Sequence, residues 1–257
     1  MNQVLVSAGD AWTAKLIQEA GFDGIWISGF EACARLNLPD NGSITMDEML
    51  RICKPIIESV KIPVWVDVDT GYGNFQRTVR EFERIGAYGV CVQDDLEGHK
   101  TNSLWGGDSP LMSSKDFSKK ISVKRNKIKI MARTESLIRG LGAGEALTRL
   151  LEYHAAGADY LLPHTRLENL LFDFTDEVSL SEKMNFAIVP TKFPNIKNED
   201  LFRLGYCMVI WANQTERTKI KSIREMLKIL KGEDCSVSID GKMAATLDEM
   251  KGLLPDE

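Results

Sequence analysis

Asp67 and Asp69 close the run Val64-Trp65-Val66-Asp67-Val68-Asp69, and Thr70-Gly71-Tyr72-Gly73-Asn74 follows at once. In a strand, residues i and i+2 point to the same side. Both carboxylates are therefore expected to project together from a strand's carboxyl end. Two aligned carboxylates repel unless a cation sits between them, and hard oxygen ligands suit Mg²⁺. Gly71 and Gly73 let the backbone turn tightly and approach a ligand. The plain alternative is a strand with a solvated acidic end.

Such a pair needs a scaffold of strands. Eight short apolar runs supply one: Val4–Ala8, Gly24–Ser28, Val64–Val68, Gly89–Gln93, Ile128–Ala132, Tyr160–Leu162, Phe186–Pro190 and Met208–Trp211. Most lack alternation, as buried parallel strands do. Helical patterns lie between them, at 11–20, 46–60, 75–85, 113–123, 144–156, 167–175, 198–204 and 215–230. Ala20-Gly21-Phe22-Asp23-Gly24, Ile85-Gly86-Ala87-Tyr88-Gly89 and Ala156-Gly157-Ala158-Asp159-Tyr160 each read as a helix end, a glycine cap and a strand entry. Repeated βα units in a single domain of 257 residues predict a (β/α)₈ TIM-type barrel. The runner-up is an open doubly wound sheet, but the first βα junction lacks a Gly-x-Gly-x-x-Gly fingerprint. Barrel chemistry sits at strand carboxyl ends. Polar residues gather there: Ser28-Gly29, Asp67 and Asp69, Gln93-Asp94-Asp95, Arg133 and Glu135, His164, Thr191-Lys192 and Asn213. The polar segment 94–110 after the fourth strand reads as a lid. Residues 232–257 exceed what eight units need and read as a C-terminal helical appendage.

A formal charge of -5 argues against a nucleic-acid surface. No apolar stretch approaches membrane-spanning length, and no signal-peptide pattern opens the chain. Five cysteines at scattered spacings predict buried reduced thiols in a cytosolic protein, without disulfides or a zinc site. Three histidines make a multi-histidine metal site an unpromising reading.

The strand ends together resemble the phosphoenolpyruvate mutase/isocitrate lyase superfamily, and within it the phosphoenolpyruvate mutases, over nearly the whole chain. The segments concerned are Gly24-Ile25-Trp26-Ile27-Ser28-Gly29-Phe30, Asp67-Val68-Asp69-Thr70-Gly71-Tyr72-Gly73-Asn74, Ala132-Arg133-Thr134-Glu135, Leu162-Pro163-His164, Val189-Pro190-Thr191-Lys192 and Ile210-Trp211-Ala212-Asn213. Lyases of the superfamily carry a catalytic cysteine in the lid, and this chain has none between Cys91 and Cys207. The mutase lid resembles Glu-Asp-Lys-x-Phe-Pro-Lys-x-Asn-Ser, and Lys100-Thr101-Asn102-Ser103-Leu104 agrees with its second half. Phosphonopyruvate hydrolases have a threonine where Asn102 stands. The first half departs. Without a gap Gln93 occupies the glutamate position, while counting back from Lys100 puts Asp94 there.

The resemblance implies interconversion of phosphoenolpyruvate and 3-phosphonopyruvate. It implies Mg²⁺ held by Asp67 and Asp69, supported by Gln93 or Asp94. It assigns Asp40, Asn102, Ser103, Arg133 and His164 to catalysis. Trp26, Ser28, Gly29, Phe30, Lys100, Glu135, Thr191 and Asn213 go to substrate binding. It also implies a homo-oligomer, dimer or tetramer, that exchanges its terminal helix. The alternatives are a phosphonopyruvate hydrolase, a lyase of a 2-oxo acid, and a barrel that only binds.

Overall fold

The computed structural model describes residues 2–98, 100, 110–166, 184–240 and 242–254. The expected helix at 167–175 lies outside them, as do Asn102, Ser103 and most of the lid. Eight parallel strands close into a barrel: β1 (Gln3–Ser7), β2 (Gly24–Ile27), β3 (Val64–Asp67), β4 (Gly89–Gln93), β5 (Lys129–Thr134), β6 (Tyr160–Pro163), β7 (Phe186–Ile188) and β8 (Tyr206–Trp211). Closure is direct, with Leu5 of β1 opposite Ile210 of β8, and it rules out the open sheet. Helices α1 (Ala11–Glu19), α2 (Gly29–Arg35), α3 (Met46–Glu58), α4 (Phe75–Arg84), α5 (Ser114–Ile121) and α6 (Gly142–Ala155) alternate with the strands. Local chemistry sets their starts. Asp10 caps α1, Thr45 and Glu48 form a capping box on α3, and Asn74 caps α4. Helix α2 was not expected from the sequence: it is short and follows β2 without a linker.

Every strand buries both faces. Val66, Val90, Ile130, Ala132, Leu161, Ile188 and Val209 pack outward in the layer under the helices. Leu5, Trp26, Trp65, Cys91, Met131, Leu162, Ala187, Met208 and Ile210 fill the barrel itself. Trp65, one of two tryptophans among these plugs, is fully buried. Its ring meets Tyr160 edge-on, with centroids 5.0 Å apart. It also lies over Gly89, its partner in register, where an added Cβ would stand 2.4 Å from the ring. Gly89→Ala is therefore expected to destabilise the fold by about 1–3 kcal/mol through overpacking. Urea unfolding checks this, and an unshifted midpoint would show that the plug can give way.

The chain divides into two compact units, 1–213 and 214–257. The division falls ahead of residue 232, where the sequence placed the appendage. The second unit holds the helix Gln214–Glu233 and two short helices, Val237–Asp240 and Leu247–Gly252. Ile220, Ile223, Leu227 and Leu230 form an exposed apolar stripe on its long helix. No helix among the described residues is long and apolar enough to cross a membrane. All five cysteines are free. Cys33, Cys53 and Cys91 are buried as expected, but Cys207 is half-buried and Cys235 exposed.

Candidate active site

Two residues beyond the barrel plugs, the pleat brings the next inward positions to the carboxyl-end mouth. Those positions are Ser7, Ser28, Asp67, Gln93, Arg133, His164, Val189 and Ala212. A cavity of about 110 Å³ opens there. Trp26, Ser28, Phe30, Asp40, Asp67 and Lys100 line one part of it, and Arg133, His164, Thr191, Lys192, Ala212 and Asn213 another. Thr165, Arg166 and Val189 also line it and were not singled out from the sequence. Arg166 follows β6 with no motif to mark it.

Arg133 organises the centre. Its Nε pairs with Glu135, its Nη1 lies 3.4 Å from Asp67 Oδ2, and its Nη2 lies 3.0 Å from His164 Nδ1. Burial opposes the guanidinium charge, but Glu135 and Asp67 outweigh it and keep it charged. Burial likewise opposes the Glu135 charge, yet Arg133 and His164 draw its pKa down to about 2. His164 Nδ1 is 2.8 Å from Glu135 Oε2. Its pKa is lowered by burial and by Arg133, so the imidazole is neutral at pH 7.

Asp69 reaches the site by another route than the expected one. Strand β3 ends at Asp67, and Asp69 lies beyond it in the left-handed region with φ 49°. Aspartate tolerates that conformation better than most residues. The turn, not the pleat, brings the two acids together: Asp69 N–H donates to Asp67 Oδ1 at 3.2 Å. Gly29 is the other requirement, because a Cβ there would stand 2.8 Å from Asp69 Oδ1. Lys100 bridges to the same acid, with Nζ 2.6 Å from Asp69 Oδ1 and also paired to Asp40. Burial opposes the ammonium, but Asp69 and Asp40 raise its pKa.

The two candidates for metal support part ways. Gln93 is paired with Arg133 in the sheet and follows Cys91 on the inward face. Asp94 faces outward, a correction to its reading as a metal-supporting residue. Its carboxylate accepts from Thr134 Oγ1 (2.7 Å), Glu135 N (2.9 Å) and Tyr153 OH (2.7 Å), with Arg149 Nη1 at 3.3 Å. Burial raises its pKa despite these donors. Asp94 thus ties β4 to β5 and α6.

Which groups could hold a cation follows from the unmatched oxygens. Asp69 Oδ2 and Gln93 Oε1 are buried with no hydrogen-bond partner among the described residues. Together with Asp67 they form a hard-oxygen donor set. No group of three or more His, Cys, Asp or Glu residues is arranged as a metal site among the described residues. Mg²⁺ needs fewer, since it keeps several waters and takes one or two carboxylates. The donor set fits it.

Asp67 carries its charge at a cost to the folded state. Burial, with a contribution from Asp69, pushes its pKa from 3.8 up to about 6, although Arg133 opposes the shift. A folded-state pKa above the unfolded value means stability that is full below the lower value and lost as pH rises through the higher one. Metal-free protein is therefore expected to lose stability relative to Asp67→Asn as pH rises from 3.8 through about 6. Thermal unfolding of the two proteins across that window measures the difference. A constant difference would contradict the raised pKa.

Residues 2–231 match the family model described as phosphoenolpyruvate phosphomutase. The chain is 29% identical to the phosphoenolpyruvate phosphomutase of Tetrahymena pyriformis, covering 93% of this chain and 83% of that protein. Its fold superposes on the crystal structure of a phosphoenolpyruvate phosphomutase from Streptomyces platensis subsp. rosaceus with a TM-score of 0.91 at 30% identity, covering 98% of this chain and 90% of that one. A phosphonopyruvate hydrolase solved with oxalate and Mg²⁺ gives a TM-score of 0.89 at 28% identity, covering 98% and 89%.

Proposed function

The chain belongs to the phosphoenolpyruvate phosphomutase family, and from that premise we propose that it interconverts phosphoenolpyruvate and 3-phosphonopyruvate with Mg²⁺ at Asp67 and Asp69. The observation that carries this reading is the charge layout of the cavity. Lys100, Arg133, Arg166 and Lys192 face it against Asp40 and Asp67, which suits a small substrate with two anionic groups. Its volume of about 110 Å³ is on the scale of a three-carbon acid with its phosphoryl group.

The reaction breaks a P–O bond, leaves its electron pair on the oxygen of pyruvate enolate, and forms a P–C bond from the enolate methylene carbon. No proton is gained or lost overall. When bound, Mg²⁺ supplies positive charge against the enolate and carboxylate oxygens. Arg133 offers a planar fork to the substrate's oxygens, and its neighbours Glu135 and His164 hold that fork in place. The hydroxyl of Ser28 and the backbone at Gly29 and Phe30 would anchor the carboxylate. Asp40, which pairs with Lys100, would stand at the phosphoryl end. Asn102 and Ser103 would follow Lys100 onto the phosphoryl group as the lid closes. A phosphoryl group in transit must be kept from water.

The hydrolase likeness supports a second reading, in which water takes the phosphoryl group and pyruvate and phosphate are released. Phosphorus-31 NMR of the protein mixed with Mg²⁺ and phosphonopyruvate separates the two. Growth of the phosphoenolpyruvate resonance is the expected result. Inorganic phosphate as the main product would replace the mutase reading with the hydrolase one.

A further inference from the structure

Gln93 meets Asp95 in a way that constrains its chemistry. Gln93 Nε2 donates to Asp95 Oδ2, and neither residue has any solvent exposure. An ionised carboxylate only accepts hydrogen bonds, whereas an amide has one accepting and one donating end. Turning the amide over would set two oxygens against each other in a buried site. Asp95 therefore dictates that the amino end of Gln93 faces it and that Oε1 faces elsewhere. The carboxylate is itself held. Arg139 Nη2 lies 3.9 Å from Asp95 Oδ1, and the backbone of Asp95 bridges antiparallel to Leu111. Leu96 N–H donates to Pro110 O at 3.1 Å and Met112 N–H to Asp94 O at 2.8 Å, which fixes the same segment from both ends.

The far end of the amide is the anomaly. Gln93 Oε1 is buried without a partner among the described residues. The residue sits against the acidic turn, its backbone N–H donating to Asp69 O at 2.8 Å. Asp69 Oδ2 is a second buried oxygen without a partner. Two such acceptors on adjacent residues are a mismatch for a protein alone and a match for a hard cation or its water.

We propose that Asp95 is a positioning residue that turns the carbonyl oxygen of Gln93 toward the cation held by Asp67 and Asp69. The proposal rests on the reading that this site takes Mg²⁺. A neutral amide with a fixed face contributes an oxygen without adding a third negative charge to the pair. Asp95 supplies the orientation, and Arg139 balances its charge away from the cation.

Calorimetric titration of metal-free protein with Mg²⁺ tests this without turnover. Asp95→Asn puts a donor as well as an acceptor beside Gln93, so the amide is no longer held one way. Mg²⁺ affinity should fall about tenfold. Gln93→Leu removes the oxygen and leaves Asp95 in place, and it should cost the same. It also serves if Asp95→Asn does not fold. The double variant should bind no more weakly than either single one, because both remove one interaction. Unchanged affinity in Asp95→Asn, or in Gln93→Leu, overturns the proposal, and so do losses that add. Absence of Mg²⁺ binding by the wild type overturns the underlying metal reading instead.

Discussion

Asp67→Ala is expected to abolish calorimetric Mg²⁺ binding and to cut turnover by about 10³ or more, the loss of several kcal/mol of charge stabilisation. Its fold should survive. The raised pKa of Asp67 means that its charge is held at a cost to the folded state. Arg133 does not lose all its compensation either, since Glu135 still pairs with its Nε. Circular dichroism and a thermal midpoint near the wild type's should accompany the dead enzyme. Retained activity with unchanged Mg²⁺ dependence would remove Asp67 from the metal site.

Asp94→Ala should do the reverse. Four donors converge on that carboxylate, from Thr134, Glu135, Arg149 and Tyr153. Removing it strands buried hydrogen-bonding groups and empties part of the wall between β4, β5 and α6. The expected loss is about 3 kcal/mol or more, read from urea unfolding. Mg²⁺ affinity of the folded fraction should stay close to that of the wild type. Asp94→Asn keeps the volume and one acceptor and should lose less stability. A stable Asp94→Ala protein with weakened Mg²⁺ binding would return this residue to the metal site.

The contrast between these neighbours marks how far the sequence could be read. The barrel was legible because most of the eight apolar runs lack alternation, as strands buried on both faces do, and helical patterns with glycine caps separate them. Most of the mouth was legible too, because counting two residues on from Trp26, Trp65, Met131 and Leu162 lands on Ser28, Asp67, Arg133 and His164. The choice between Gln93 and Asp94 was not. It depends on which residue of β4 points inward, and pairing of Gln93 with Arg133 across the sheet decides that. Asp69 was placed at the site for the wrong reason, since a left-handed turn has no periodicity to count. Lys100 was read as a substrate-binding residue of the lid. Its bridge from Asp40 to Asp69 joins groups 60 and 31 residues away in the chain, and only the fold brings them together. Arg166 carried no local signal at all.

The plug and the mouth also give the molecule an optical character. Trp65 is fully buried beneath the site, its indole N–H is without a hydrogen-bond partner among the described residues, and Tyr88 and Tyr160 flank its ring. Such a ring emits at the blue edge of tryptophan fluorescence and stays out of reach of a dissolved quencher. Trp26 lines the cavity, so its emission responds to whatever fills the mouth. Trp12, 42% exposed on α1, is within a quencher's reach. Trp105 and Trp211 complete the set of five, so a variant that keeps Trp26 alone follows occupancy of the mouth without any added label.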